Sequence, residues 1–170
     1  MRRRMLMGAA PSTYLYNHGD ECINMTGGWI RKGTNFSSPN AGIPVFSKET
    51  DHLLLDEMAA RGSISVTTAN KIDLSSYRKI VINCTAESLT ENGWITFLIG
   101  TKVAENGGAL STGEAYGDYR RFTYFTNTTF SGKLEFDISD LTEGYPVFLV
   151  ANWTNNAPQR LRVYSVKLVR

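Results

Sequence analysis

Over the last ninety residues, apolar and polar positions alternate in short runs separated by turn-forming residues. In Lys133-Leu134-Glu135-Phe136-Asp137-Ile138 every second residue is apolar. That period of two places Leu134, Phe136 and Ile138 on one face of a strand and their charged neighbours in water. Ile64 and Val66 alternate with Ser and Thr in the same way, and Lys79–Cys84 and Trp94–Ile99 read as dense apolar strands. Between those two, Asn92-Gly93 is the pair that a tight hairpin turn uses for positive φ, so a hairpin is predicted there. Residues 102–118 read as a long Gly-rich loop, followed by strands over Arg121–Thr126, Lys133–Ile138, Pro146–Trp153 and Leu161–Val169. In the last of these the apolar phase slips, from Leu161 and Val163 to Tyr164, Val166 and Leu168, which predicts a β-bulge or a strand shared between two surfaces.

Earlier segments are less regular. Residues 1–13 have no core pattern and read as an N-terminal arm; the folded part begins at Tyr14 and runs to Arg170 as one domain. A short strand is expected through Cys22 to Met25, and Thr34–Pro44 has the composition of a surface loop. Residues 48–61 suit either a short helix stopped at Arg61-Gly62 or a strand over Leu53–Asp56; the all-β surroundings favour the strand. About eight strands with few helical candidates give an all-β fold, an antiparallel two-sheet sandwich.

Composition narrows the function classes. Hydrophobic residues are 42% and charged residues 20% of the 170, ordinary for a soluble globular domain. The net charge of +2 is too small to make nucleic acid the expected partner, although basic residues collect at both ends: Arg2, Arg3 and Arg4, then Arg160, Arg162, Lys167 and Arg170. Solvated termini are the commoner use of such charges. No run has the length of a membrane helix, and the apolar stretch after Arg4 is too short for a secretory core, so no membrane partner is expected and a leader is not. The sequons at Asn24, Asn35, Asn83, Asn127 and Asn152 then carry little meaning. Cys22 and Cys84 permit one disulfide without demanding it, and the run Ile80-x-Ile82-x-Cys84 favours a buried thiol. Two histidines without paired Cys/His spacing predict no metal site, and no cofactor motif is present.

Catalytic motifs are scarce. There is no nucleophile elbow, phosphate-binding glycine loop or zinc-protease helix. His18 lies in a turn and His52 beside Asp51, both in exposed polar settings. Glu135 and Asp137 share a strand face at a spacing that roughly suits glycoside hydrolysis, but alternating charges on any solvated strand look the same. The expectation is a protein without catalytic residues.

Several segments resemble a known family. Ile72–Glu87 (IDLSSYRKIVINCTAE), Leu134–Trp153 (LEFDISDLTEGYPVFLVANW) and Arg162–Val169 (RVYSVKLV) resemble the corner-and-strand segments of jelly-roll domains of the galactose-binding and carbohydrate-binding type. The opening, MRRRMLMG followed by Tyr14–Trp29 (YLYNHGDECINMTGGW), resembles small structural proteins of tailed phages and prophages of Gram-positive gut bacteria. The resemblance implies a jelly-roll sandwich serving as a minor tail, fibre or decoration protein of a virion, made in the bacterial cytoplasm, with a free-standing carbohydrate-binding module as the alternative. No active-site residues come with it.

Two loops have the composition of a sugar site, in which an aromatic ring covers the apolar face of a pyranose and amides or charges bond its hydroxyls. One is Asn152–Asn156, with Trp153, Asn155 and Asn156; the other holds Tyr116, Asp118, Tyr119 and Arg120. For Trp153 and Tyr119 the alternative is that they cap the sandwich core, which is the commoner use. Trp29 and Trp94 are expected to be packed. A host-surface glycan is the expected ligand. The arm, with Arg2, Arg3, Arg4, Met5 and Leu6, reads as a docking element toward other virion proteins in a symmetric homo-oligomeric particle, with a disordered tail as the equal alternative.

Overall fold

The computed structural model describes residues 21–23, 28–36, 45–57, 62–103, 113–153 and 159–170. Twelve strands are described: β1 (Glu21–Cys22), β2 (Trp29–Phe36), β3 (Val45–Lys48), β4 (Leu53–Glu57), β5 (Gly62–Thr68), β6 (Ile72–Asp73), β7 (Lys79–Ser88), β8 (Gly93–Gly100), β9 (Tyr119–Arg121), β10 (Thr128–Asp137), β11 (Glu143–Asn152) and β12 (Gln159–Val169). They form two antiparallel sheets packed face to face as a jelly-roll sandwich. The first has the order β10-β7-β12-β4-β3, with β1 beside the far end of β12; the second has the order β2-β5-β11-β8-β9, with β6 beside the start of β11.

The period-two pattern accounts for the core. Ile80, Ile82, Cys84 and Ala86 of β7 point inward with Leu161, Val163, Val166 and Leu168 of β12, and every one is buried. From the second sheet, Ile64, Val66, Ile95, Phe97, Phe148 and Val150 meet them, and Trp29 packs on Phe148 at 5.1 Å between ring centroids. Phe97 sits amid Phe122, Phe136 and Phe148, at 5.6, 6.0 and 5.1 Å. The phase slip in β12 is a bulge between Val163 and Ser165, which keeps Val166 and Leu168 inward after Val163.

Two of the corners that carry the chain between sheets share one pattern, apolar-Asp-apolar-Ser-x-apolar. In Ile72–Tyr77 the Asp73 carboxylate accepts from the Ser75 N–H at 3.0 Å, and Tyr77 N–H donates to the Leu74 carbonyl at 2.9 Å. In Phe136–Leu141 the Asp137 carboxylate accepts from the Ser139 N–H at 2.9 Å, and Leu141 N–H donates to the Ile138 carbonyl at 2.9 Å. Leu74 and Ile138 are fully buried, so each corner is an Asx turn pinned by one apolar side chain.

Four sequence expectations are corrected. Asn92-Gly93 does not close a hairpin, because β7 and β8 lie in different sheets. Gly93 is needed for close approach, since a Cβ there would lie 2.9 Å from the Ala151 carbonyl and 2.8 Å from Gln159 Nε2. The expected strand at Arg121–Thr126 breaks after Arg121. The Phe97 carbonyl accepts from both Phe122 N–H (2.9 Å) and Thr123 N–H (3.4 Å), two residues opposing one. Thr34–Phe36 belong to β2, while 37–44 lie outside the described residues. The 102–118 loop contains a short 3₁₀ turn over Gly113–Tyr116. Leu53–Glu57 is a strand, as the surroundings favoured. The strand expected to Met25 is described only as Glu21–Cys22, and the arm lies outside the described residues. Cys22 and Cys84 are not joined in a disulfide.

Candidate glycan-binding face

The two outer faces differ. That of the first sheet is polar, with Arg160 bonding Asp56 (3.0 Å) and Glu87 (3.4 Å), and Arg162 bonding Glu87 (2.9 Å) across β4, β12 and β7. On the second sheet the residues alternating with the core ones are small, aliphatic or aromatic, with Arg121 at the edge. Ser63, Ala151 and Trp94 form one cross-strand row; Ser65, Leu149 and Thr96 the next; Thr67, Val147, Leu98 and Arg121 a third; and Tyr145, Gly100 and Tyr119 a fourth.

Tyr116 closes the middle of this face. Its ring packs on Leu98, Val147 and Leu149 as a second small core and is only 1% exposed. Burial pushes its hydroxyl pKa upward, and the nearby Ser65 hydroxyl opposes the shift. Tyr116 was a candidate sugar contact on composition; its place beneath the surface makes it a packing residue. The 3₁₀ turn that delivers it is followed by Gly117, whose φ of +68° and closeness to Thr101 Oγ1 (2.4 Å from a Cβ built there) require glycine.

What remains exposed is an aromatic belt along the β8–β9 side. Tyr124 stacks on Trp94 at 6.1 Å with 23° between planes, and Trp94 meets Trp153 at 6.2 Å. The Arg121 guanidinium lies over both Tyr124 (5.4 Å) and Tyr119 (5.9 Å). Tyr119, Tyr124 and Trp153 are 39%, 51% and 36% exposed, and Trp94 between them is half-buried. The backbone holds each in place. Ile95 and Phe125 exchange two hydrogen bonds of 2.9 Å beside Trp94 and Tyr124, and Trp153 N–H donates to the Asn92 carbonyl at 2.9 Å. The bulge at Phe122-Thr123 lets Phe122 and Phe125 pack against the core while Tyr124 stays outside.

Of the sequence candidates, Trp153 and Tyr119 therefore fall on one belt, and Asn155 and Asn156 lie outside the described residues. Arg120 does not join Tyr119, because neighbours on a strand point oppositely. Its guanidinium is held by Asp140 in a two-pronged pair, Nη1 to Oδ1 at 2.7 Å and Nη2 to Oδ2, which lowers the Asp140 pKa. Trp94 was expected to be packed and is so only in part. Arg121 and Tyr124 went unnoticed; the spacing Tyr119-x-Arg121-x-x-Tyr124 becomes a signal only once the bulge after Arg121 is known.

The other polar candidates have structural partners. Glu135 pairs with Lys79 at 3.6 Å, and the Ser139 hydroxyl and N–H lower the Asp137 pKa, opposite to the direction a general acid needs. His52 bonds Asp51 at 2.7 Å, and Glu21 accepts from the Tyr77 hydroxyl at 2.5 Å. Among the described residues no three His, Cys, Asp or Glu side chains gather as a metal site. Cys84 is a core thiol whose pKa burial pushes up to about 12, far from the thiolate a nucleophile needs.

No family model and no curated protein sequence matches the chain. Solved structures do. A point mutant of a family 29 carbohydrate-binding module aligns with a TM-score of 0.50 at 8% identity, covering 88% of this chain and 89% of that one. A second variant of the module gives 0.50 at 10%, covering 88% and 90%, and a third, complexed with cellulohexaose, gives 0.50 at 8%, covering 88% and 89%. At such low identity the likeness shows the fold: a jelly roll of the carbohydrate-binding-module kind.

Proposed function

We propose that this protein is a non-catalytic carbohydrate-binding module that holds an oligosaccharide along the belt of Tyr119, Arg121, Tyr124, Trp94 and Trp153. The observation that carries the reading is that, among the described residues, three of the five exposed large apolar side chains lie on this one belt. Rings in a row match the repeating apolar faces of a sugar chain, and Arg121, fixed by two tyrosine faces, supplies directed donors for its hydroxyls. The same fold in a module complexed with cellulohexaose supports the class of ligand. The test is tryptophan fluorescence under titration with cellulohexaose and a panel of polysaccharides. Trp94 and Trp153 should respond, whereas Trp29, fully buried, should not, so Trp153→Phe should remove much of the signal change.

The second reading places the same module in a tailed-phage particle, where the belt would grip a host-surface glycan. It is favoured by the resemblance of the opening through Trp29, most of which lies outside the described residues. Incorporation into particles with and without residues 1–10 tests it.

A further inference from the structure

β10 is ten residues long and, among the described residues, forms the open edge of the first sheet, bonded to β7 on one side. The hydrogen bond from Ile138 N–H to the Arg78 carbonyl (2.8 Å) sets its parity, since these residues directly oppose one another. Counting back, Phe136, Leu134 and Gly132 turn their backbone groups toward β7. Ser131, Lys133, Glu135 and Asp137 therefore turn theirs outward, with exposed side chains. An unpaired edge of this length is a template for another strand.

Its charges select the partner and the register. In an antiparallel self-pairing with Leu134 on the two-fold axis, Lys133 stands opposite Glu135 of the other copy, twice, and Ser131 stands opposite Asp137. With Glu135 on the axis it would face itself; with Lys133 there, lysine would face lysine. A one-residue shift in pairing would set outward-facing groups against inward-facing ones and forfeit the ladder. On the inner face Leu134, half-buried, meets its own copy, and Phe136 lies across from Gly132, where a built Cβ meets nothing nearer than the Phe130 ring at 3.7 Å.

We propose that the chain forms a two-fold dimer in which β10 pairs with β10 of a second copy about Leu134, joining the two sheets into one. The dimer would carry two aromatic belts, so that glycan binding gains from avidity on a polyvalent surface. The strand pairing itself does not depend on the belt's ligand.

The experiment is light scattering of the full chain over a concentration series, with Lys133→Glu, Glu135→Lys and an equimolar mixture of the two. Wild type should rise from 18.9 kDa toward twice that mass. Each single variant should stay monomeric, because like charges then face each other. The mixture should recover the dimer, since every contact between positions 133 and 135 becomes opposite in sign. Recovery by mixing also shows that the variants are folded. A wild type that stays at 18.9 kDa at its highest soluble concentration overturns the proposal, and so do single variants that dimerise as wild type does.

Discussion

Replacing Tyr116 separates packing from recognition on the second sheet's outer face. The ring is 1% exposed and rests on Leu98, Val147 and Leu149. Truncating a buried aromatic to alanine removes its transfer free energy and leaves a cavity, together about 3–5 kcal/mol. For a chain of this size each kcal/mol shifts Tm by about 2–4 °C, so Tyr116→Ala should melt about 6–20 °C below wild type. Tyr116→Phe keeps the ring and loses only the hydroxyl beside Ser65, which should cost about 1 kcal/mol. Urea unfolding followed by tryptophan fluorescence gives both values. At a temperature where both variants are folded, Tyr116→Phe should bind any ligand of the belt as wild type does. The reasoning is refuted if Tyr116→Ala costs less than about 1 kcal/mol or if Tyr116→Phe abolishes glycan binding while leaving stability intact.

Other consequences follow from the same geometry. Burial raises the folded-state pKa of Cys84 to about 12 and that of Tyr116 above its ordinary value, so both protons are held more tightly folded than unfolded. The contribution of these two groups should be level below about pH 8.5 and fall as pH climbs from there, and Cys84→Ala should delay the onset in an alkaline melt series. Gly93→Ala puts a methyl against the Ala151 carbonyl, which cannot swing aside, and should cost about 1–3 kcal/mol by urea midpoint. Arg121→Ala should weaken glycan binding with little change in Tm, whereas Arg120→Ala, which breaks an exposed pair with Asp140, should leave both stability and binding nearly unchanged.

The sandwich was legible because its strands repeat with a period of two over enough residues to commit each side chain to one face. The bulge in β12 was legible for the same reason: Val163 and Val166 cannot both face inward without an extra residue between them. What escaped was set by partners distant in sequence. Asn92-Gly93 has hairpin chemistry, but whether the strands beside it pair depends on their sheets, and there glycine answers the crowding of Gln159 and Ala151. β2 and β3 are too irregular to announce themselves, and β2 carries a bulge between Arg31 and Gly33. In the site, composition found Trp153 and Tyr119 but in two separate loops, and grouped Tyr119 with Tyr116 and Arg120, one of which turns inward and the other to Asp140. Strand parity and one bulge decide which aromatics share a face, and the bulge shows only in the Phe97 hydrogen bonds.

The most direct test of the belt is a glycan-array screen of the full chain beside Trp153→Ala and Tyr124→Ala. Loss of a central aromatic contact is worth about 2 kcal/mol, a roughly 30-fold weakening. The account predicts that wild type retains at least one glycan class, that both variants lose it by about that factor, and that their melting curves stay close to wild type. Wild type that binds nothing across a broad array, or binding undiminished in both variants, would contradict it.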